Sequence, residues 1–292
     1  MRKYGVWLSL ALAAVAPAWA QVTTEVTLDQ DQFLAGETLL AAVRITNRSG
    51  QTLHLGAEQD WLSFSVESRD DAVVAKLGEV PVAGKFDLDS SQKATKRVDL
   101  APYFSLGQPG RYAVTATVRI KAWDAEITSR PKEFHIIEGT KLWEQEIGIP
   151  RTGEGSNATP EVRKYTLQEA NYLRGELRLY LRVTDGSGEK IFRTCAIGTL
   201  LSFSRPEAQV DKLSNLHVLY QSGAQAFSYN VFNTEGDLVT RQTYDYIQTH
   251  PRLQADAEGK ISVVGGVRRV TTKDRPVPKA AAPGDEVETP KP

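Results

Sequence analysis

Any chemistry in this chain would have to come from its four histidines, its carboxylates and its single cysteine. His54, His135, His217 and His250 are scattered over different strand and turn segments, and none stands at a helical metal-binding spacing. His217 lies between Leu216 and Val218, so in a strand it turns to the opposite sheet face, solvated or hydrogen-bonded rather than acting as a base. Asp211 and Asp256 are the carboxylate pair that a hydrolase would use. They occupy equivalent places in a repeat, however, which assigns each of them the same local turn role. Cys195 sits in the apolar stretch Phe192 to Leu201 and reads as a buried, inert thiol. Nucleophile elbow, phosphate-loop, dinucleotide and EF-hand patterns are missing from the sequence. The sequence therefore assigns no catalytic, cofactor-binding or metal residue, and no cofactor.

Aromatic side chains are the other route to recognition, by stacking on sugars or anchoring a partner. Trp61 sits in an apolar strand and is expected in the core, whereas Trp123 and Trp143 have more polar neighbours and are the surface candidates. Asn47-Arg-Ser49 and Asn157-Ala-Thr159 match the glycosylation sequon.

These residues are carried by a chain with the marks of export. Arg2 and Lys3 precede an apolar run from Val6 to Val15 and a small-residue close at Ala18-Trp19-Ala20, the pattern of a signal peptide over 1–20. The run is shorter than the roughly 20 apolar residues of a membrane span, so no transmembrane segment is expected. Losing Arg2 and Lys3 takes the formal charge from −1 to −3, which supplies no net basic field for nucleic acid. One cysteine permits no internal disulfide, so hydrophobic cores must hold the fold, and a chain of this length can bury enough surface to build them. The expected location is periplasmic, cell-surface or extracellular.

Short alternating segments dominate residues 22–137: Val22 to Leu28, Thr38 to Thr46, Trp61 to Glu67, Val73 to Leu77, Thr95 to Leu100 and Tyr112 to Ile120. Turn signals separate them and no amphipathic helix intervenes, which favours a β-sandwich over an α/β fold. Gly36-Glu-Thr38, Arg44-Ile-Thr-Asn-Arg-Ser-Gly50, Trp61-Leu-Ser-Phe-Ser-Val66 and Pro109-Gly-Arg-Tyr112 together resemble immunoglobulin-like domains of the intracellular proteinase inhibitor type. The resemblance implies an Ig-like sandwich, with Tyr112 in the core at a tight corner, and it raises inhibition through an exposed loop at Val80 to Asp87 as one function. Ig-like folds host many unrelated activities, so the fold does not carry that function with it.

Residues 139–165 read as a linker on the strength of Ile149-Pro-Arg-Thr-Gly-Glu-Gly-Ser-Asn-Ala-Thr-Pro160, and Thr166 to Leu173 as one short helix. Beyond it, Pro206-Glu-Ala-Gln-Val-Asp211, with Leu216 and Val218, recurs as Pro251-Arg-Leu-Gln-Ala-Asp256, with Ile261 and Val263, 45 positions later (251 minus 206). This module resembles the blades of sialidase-like β-propellers. Too few copies are present to close a propeller, so the second half is either a sandwich of blade-like hairpins or a sheet completed by several chains. The resemblance raises carbohydrate binding or cleavage around Asp211, Tyr220 and Tyr229. Thr184-Asp-Gly-Ser-Gly188 departs from the sialidase Asp-box spacing and weakens that implication.

The reading is an all-β chain: signal peptide over 1–20, Ig-like β-sandwich over 21–138, linker over 139–165, a second β-module of blade-like repeats over 166–270, and a disordered tail over 271–292 rich in Lys, Pro and Glu. The expected role is an exported, non-catalytic binding or structural protein, its partner a protein or other envelope component. A proteinase inhibitor and a carbohydrate-binding or carbohydrate-active protein are the alternatives.

Overall fold

The computed structural model describes residues 21–70, 72–149, 161–172, 175–201 and 203–276. The signal-peptide region, the Asn157 sequon and residues 277–292 lie outside the described residues. All regular structure among the described residues is β, apart from two single turns of 3-10 helix at Ala101–Tyr103 and Lys121–Trp123. The chain divides into two compact units.

The first unit holds described residues up to Asp31, Leu39–Ser105 and Arg111–Phe134. Along the chain to Ile137 run β1 (Val22–Leu28), β2 (Gln32–Leu34), β3 (Leu40–Asn47), β4 (Leu53–Leu55), β5 (Leu62–Ser68), β6 (Phe86–Leu88), β7 (Lys93–Asp99), β8 (Gly110–Ile120), β9 (Ala125–Thr128) and β10 (Lys132–Ile137). One sheet has the order β1-β3-β7; in another, β8 lies between β5 and β10 and also pairs β9. Period-two burial explains both: Val22 and Val26 on β1, Val43 and Ile45 on β3, and Phe64 and Val66 on β5 point inward. Tyr112 is buried and stacks on Phe134 with ring centres 5.6 Å apart. Val73 to Leu77, read from sequence as a strand, is not one: Val73 is 91% exposed, and only Lys76 forms an isolated bridge, to Phe104.

The loop proposed for inhibition is anchored at two points, while Pro81, Ala83 to Lys85 and Asp87 are exposed. Val80 and Val82 are buried, and Trp61 Nε1 donates to the Val82 carbonyl at 2.8 Å. Phe86 to Leu88 of the same stretch is β6, paired with β4.

Asn47 ends β3 with no exposed surface. Its Nδ2 donates to the carbonyls of Gln51 and Leu88 at 2.7 and 2.8 Å, and its Oδ1 accepts from the Ser49 N–H. The amide that a glycan would occupy is therefore buried and already used.

The second unit takes Gln32–Thr38, Leu106–Gly110 and the described residues from His135 on. The segments at 32–38 and 106–110 thus leave the module to which the sequence assigned them. Leu34 packs with Ala170 and Tyr180, and Thr194 Oγ1 donates to the Ala35 carbonyl at 2.9 Å. Here lie β11 (Thr140–Ile149), β12 (Glu161–Tyr172), β13 (Glu176–Asp185), β14 (Ile191–Thr199), β15 (Glu207–Val210), β16 (Leu216–Gln221), β17 (Ala226–Phe232), β18 (Leu238–Asp245), β19 (Arg252–Ala255), β20 (Ile261–Val264) and β21 (Val267–Arg269). Of the expected linker at 139–165, residues 150–160 lie outside the described residues, Thr140–Ile149 is β11 and residues 161–165 begin β12; of the expected helix at 166–173, residues 166–172 continue β12 and Leu173 lies outside the described residues. β12 is buried on both faces, so it lacks the alternation that identifies a half-buried strand.

β11 to β14 form an antiparallel meander, β15-β16-β17-β18-β21 form a second sheet, and β19-β20 form a hairpin. Leu167, Leu181 and Val183 of the first sheet meet Leu216, Val218 and Phe232 of the second in one core. Leu253 and Ile261 of the hairpin pack with Leu219, Phe227 and Tyr229 of the second sheet. The ordered chain continues beyond residue 270. Asp274 is 2% exposed, ion-paired with Arg268 at 2.7 Å and bonded by Thr271 Oγ1 at 2.8 Å, so the tail expected from 271 begins in folded structure.

Candidate functional site

Three residues singled out by sequence converge on one face of the second sheet. In β16 the side chains of Leu216, Val218 and Tyr220 enter the inter-sheet core, which turns His217 to the other face. β17 is antiparallel to β16 with Tyr229 opposite Leu219, so Tyr229 shares the His217 side. His217 Nδ1 lies 2.7 Å from Tyr229 Oη, and its Nε2 lies 3.2 Å from Asp211 Oδ2. An ionised carboxylate only accepts, so Nε2 carries the hydrogen; in the neutral ring Nδ1 is then the acceptor and Tyr229 O–H donates to it. Tyr244 of β18 packs edge-on against Tyr229.

Asp211 is placed by its own turn. Oδ1 accepts from the backbone N–H groups of Leu213 and Asn215 at 2.9 and 2.8 Å, and Oδ2 accepts from Asn215 Nδ2 at 3.0 Å. Burial opposes ionisation of this carboxyl, but the bonds from Asn215, His217 and Leu213 outweigh it and hold the group below the usual carboxylate range. Burial pushes the Tyr229 hydroxyl up to about 12. Both ring nitrogens of His217 are engaged, and the residue is 7% exposed. The geometry is that of a carboxylate–imidazole–phenol line with both ring nitrogens taken.

The other candidates do not join it. Asp256 Oδ1 accepts from the N–H groups of Glu258 and Lys260, both at the turn it opens. Tyr220 is on the opposite face, its hydroxyl bonded to the Ile197 carbonyl at 3.3 Å. The concave group of Asp211, Tyr220 and Tyr229 that carbohydrate chemistry would need is therefore split by the sheet. Cys195 packs against the inter-sheet core, and burial pushes its thiol up. His54 pairs with Asp87 at 2.7 Å on the surface, His135 is exposed, and His250 Nδ1 lies 2.8 Å from the Pro251 carbonyl. Trp123 and Trp143 are half-buried, Trp143 against the core. Among the described residues no group of three His, Cys, Asp or Glu side chains could hold a metal ion.

Sequence reasoning found a 45-residue repeat where the structural unit is half as long. Asp211, Asn233 and Asp256 each open a hairpin turn, their Oδ1 accepting from the N–H groups two and four residues on. In each the third residue after the opener has positive φ: Ser214 at 64°, Gly236 at 80° and Gly259 at 77°. The middle copy has Asn in place of Asp and no upstream Pro, which hid it. Glu207 and Gln209 were also missed. Glu207 Oε2 accepts from Leu253 N–H at 2.8 Å and Gln209 Nε2 donates to the Leu253 carbonyl at 3.4 Å, tying the β19-β20 hairpin to the sheet.

No helix among the described residues is long and apolar enough to cross a membrane. No protein-family model matches the chain, and no curated protein matches it. Among solved structures, Spo0M, a sporulation control protein from Bacillus subtilis, aligns with 9% identity and a TM-score of 0.30 over 61% of this chain and 91% of Spo0M. A likeness at that level carries no argument about fold or function.

Proposed function

We propose that this is an exported, non-catalytic binding or structural protein of the cell envelope. The observation that supports the reading is the use made of the best-placed acid–base set in the second unit. Asp211 accepts four hydrogen bonds, His217 has both nitrogens engaged, and Tyr229 closes the line beneath a hairpin, so the polar groups are spent on architecture. Catalysis asks for the reverse: a base left free within reach of a substrate proton. Export rests on the N-terminal charge, apolar run and small-residue close.

The test titrates labelled exported chain onto envelopes isolated from the producing cells, beside a turnover panel of glycans, esters and peptides. Saturable binding that unlabelled chain displaces is expected, with no turnover. Turnover abolished by His217→Ala, or envelope binding that never saturates, overturns the reading.

A further inference from the structure

Three arginines meet on one face of the second sheet, at its β18-β21 edge. Arg241 on β18 and Arg275 exchange both backbone bonds, at 2.9 Å one way and 3.0 Å the other. A pair bonded in this way holds its Cα atoms about 5.5 Å apart, with both side chains on the same face. Thr243, two residues along β18 and about 7 Å from Arg241, shares that face and is the partner of Arg269 on β21. The chain leaves the sheet after Arg269 and rejoins it at Arg275, so Arg241, Arg275, Thr243 and Arg269 mark the corners of one small patch.

The patch is only partly neutralised by its own neighbours. Arg269 Nε pairs with Asp245 Oδ2 at 3.0 Å, which offsets one positive charge. Arg241 Nε donates to Asn230 Oδ1 at 3.1 Å, and Asn230 has no exposed surface, its Nδ2 donating to Ser228 Oγ at 3.3 Å. That bond anchors the Arg241 side chain but brings it no negative charge. Neither Arg241 nor Arg275 has an ion pair among the described residues. The Arg241 Nη atoms, the Arg275 guanidinium and the Thr243 hydroxyl have no hydrogen-bond partner there either.

Like charges set directly opposite on adjacent strands repel and destabilise the pair. Arg163, Arg178 and Arg193 of the same unit each reach a carboxylate instead. The patch is also open to a ligand, because Arg269 and Arg275 are exposed and Arg241 and Thr243 are half-buried.

We infer that the patch binds a phosphate dianion, either free or as the terminal monoester of a larger molecule. Two uncompensated guanidinium groups match a phosphate charge of about −2, whereas a carboxylate leaves one of them unmatched. The planar forks of Arg241 and Arg275 supply paired donors, and Thr243 Oγ1 and the Arg269 Nη atoms supply more, a set suited to a group with several acceptor oxygens. Asp245 closes one end of the patch, which favours a compact headgroup over the length of a polyanion. This ligand class goes beyond the binding role proposed above and stands without it.

The experiment titrates the exported chain with inorganic phosphate, sulfate and acetate at constant ionic strength, followed by calorimetry. One saturable phosphate site is expected, with sulfate comparable and acetate at least tenfold weaker. Arg275→Gln, at an exposed position, should weaken phosphate about tenfold, and Arg252→Gln on the β19-β20 hairpin should leave it unchanged. Backbone amide shifts of the unsubstituted chain give a second readout that needs no variant to fold: phosphate should move Arg241, Thr243 and Arg275. Vesicles of phosphatidylcholine with and without phosphatidic acid separate the two sources. Binding to the phosphatidic acid vesicles alone, displaced by phosphate, assigns a monoester headgroup; phosphate saturation with no vesicle binding assigns a soluble phosphate; both support the inference. It is overturned by phosphate binding that never saturates, by acetate binding as tightly as phosphate, by equal effects of Arg275→Gln and Arg252→Gln, or by amide shifts confined to other parts of the chain.

Discussion

His217 Nδ1 and Tyr229 Oη meet at 2.7 Å on the face of the second sheet turned away from its main core. The two residues are not direct cross-strand partners, since His217 faces Val231 and Tyr229 faces Leu219. Their bond is a diagonal contact between adjacent strands, within reach of an aromatic side chain, and it fixes the ring whose other nitrogen reaches Asp211.

Removing the phenol should expose this dependence. Tyr229→Phe leaves Nδ1 buried without its donor and is expected to cost about 1–2 kcal/mol by denaturant unfolding. Combined with His217→Leu, it should cost about 1 kcal/mol less than the two single changes added together. Additive losses would show that the bond contributes nothing.

Asp211 gives the network a pH dependence of defined sign. Its carboxyl is held below the ordinary range when folded, so its contribution is complete above the unfolded value of about 3.9 and is lost as pH falls through the folded value. The stability gap between the unsubstituted chain and Asp211→Asn should be present at about pH 5 and close as pH falls below about 4. A gap persisting through acid would assign the effect to shape instead of charge.

Equivalence of the three turns predicts opposite outcomes at matched positions. Ser214 takes up a left-handed backbone where Gly236 and Gly259 stand in the other two copies. Ser214→Gly should therefore be neutral or stabilising, whereas Gly236→Ala and Gly259→Ala should each cost about 1 kcal/mol. Thermal unfolding of the three variants decides it.

Asn47 should remain unmodified in a host that glycosylates exported chains, read as an unchanged mass for the peptide that contains it. Its amide bonds to Gln51 and Leu88 hold the end of β3, so Asn47→Ala is expected to cost about 2 kcal/mol or more.

Cys195 should resist a water-soluble thiol reagent at neutral pH and react fully in denaturant, because burial raises its pKa and keeps the thiolate scarce. Rapid native labelling would contradict that placement.

The sequence by itself determined the all-β character, because half-buried strands such as β1, β3 and β5 alternate apolar and polar residues, and it determined the turn role of Asp211 and Asp256, because Asx side chains bond the backbone that follows them. Strands lacking that signature were illegible. β12 is buried on both faces, and β11 is an edge strand with only Ile147 fully buried, so each lost the periodicity that marks a strand. The division of labour within β16 and β17 was also a tertiary decision. Tyr220 and Tyr229 look alike in sequence, but a sheet has two faces, and the register of β16 on β17 together with the packing of two further layers decided that one tyrosine enters the core and the other holds His217.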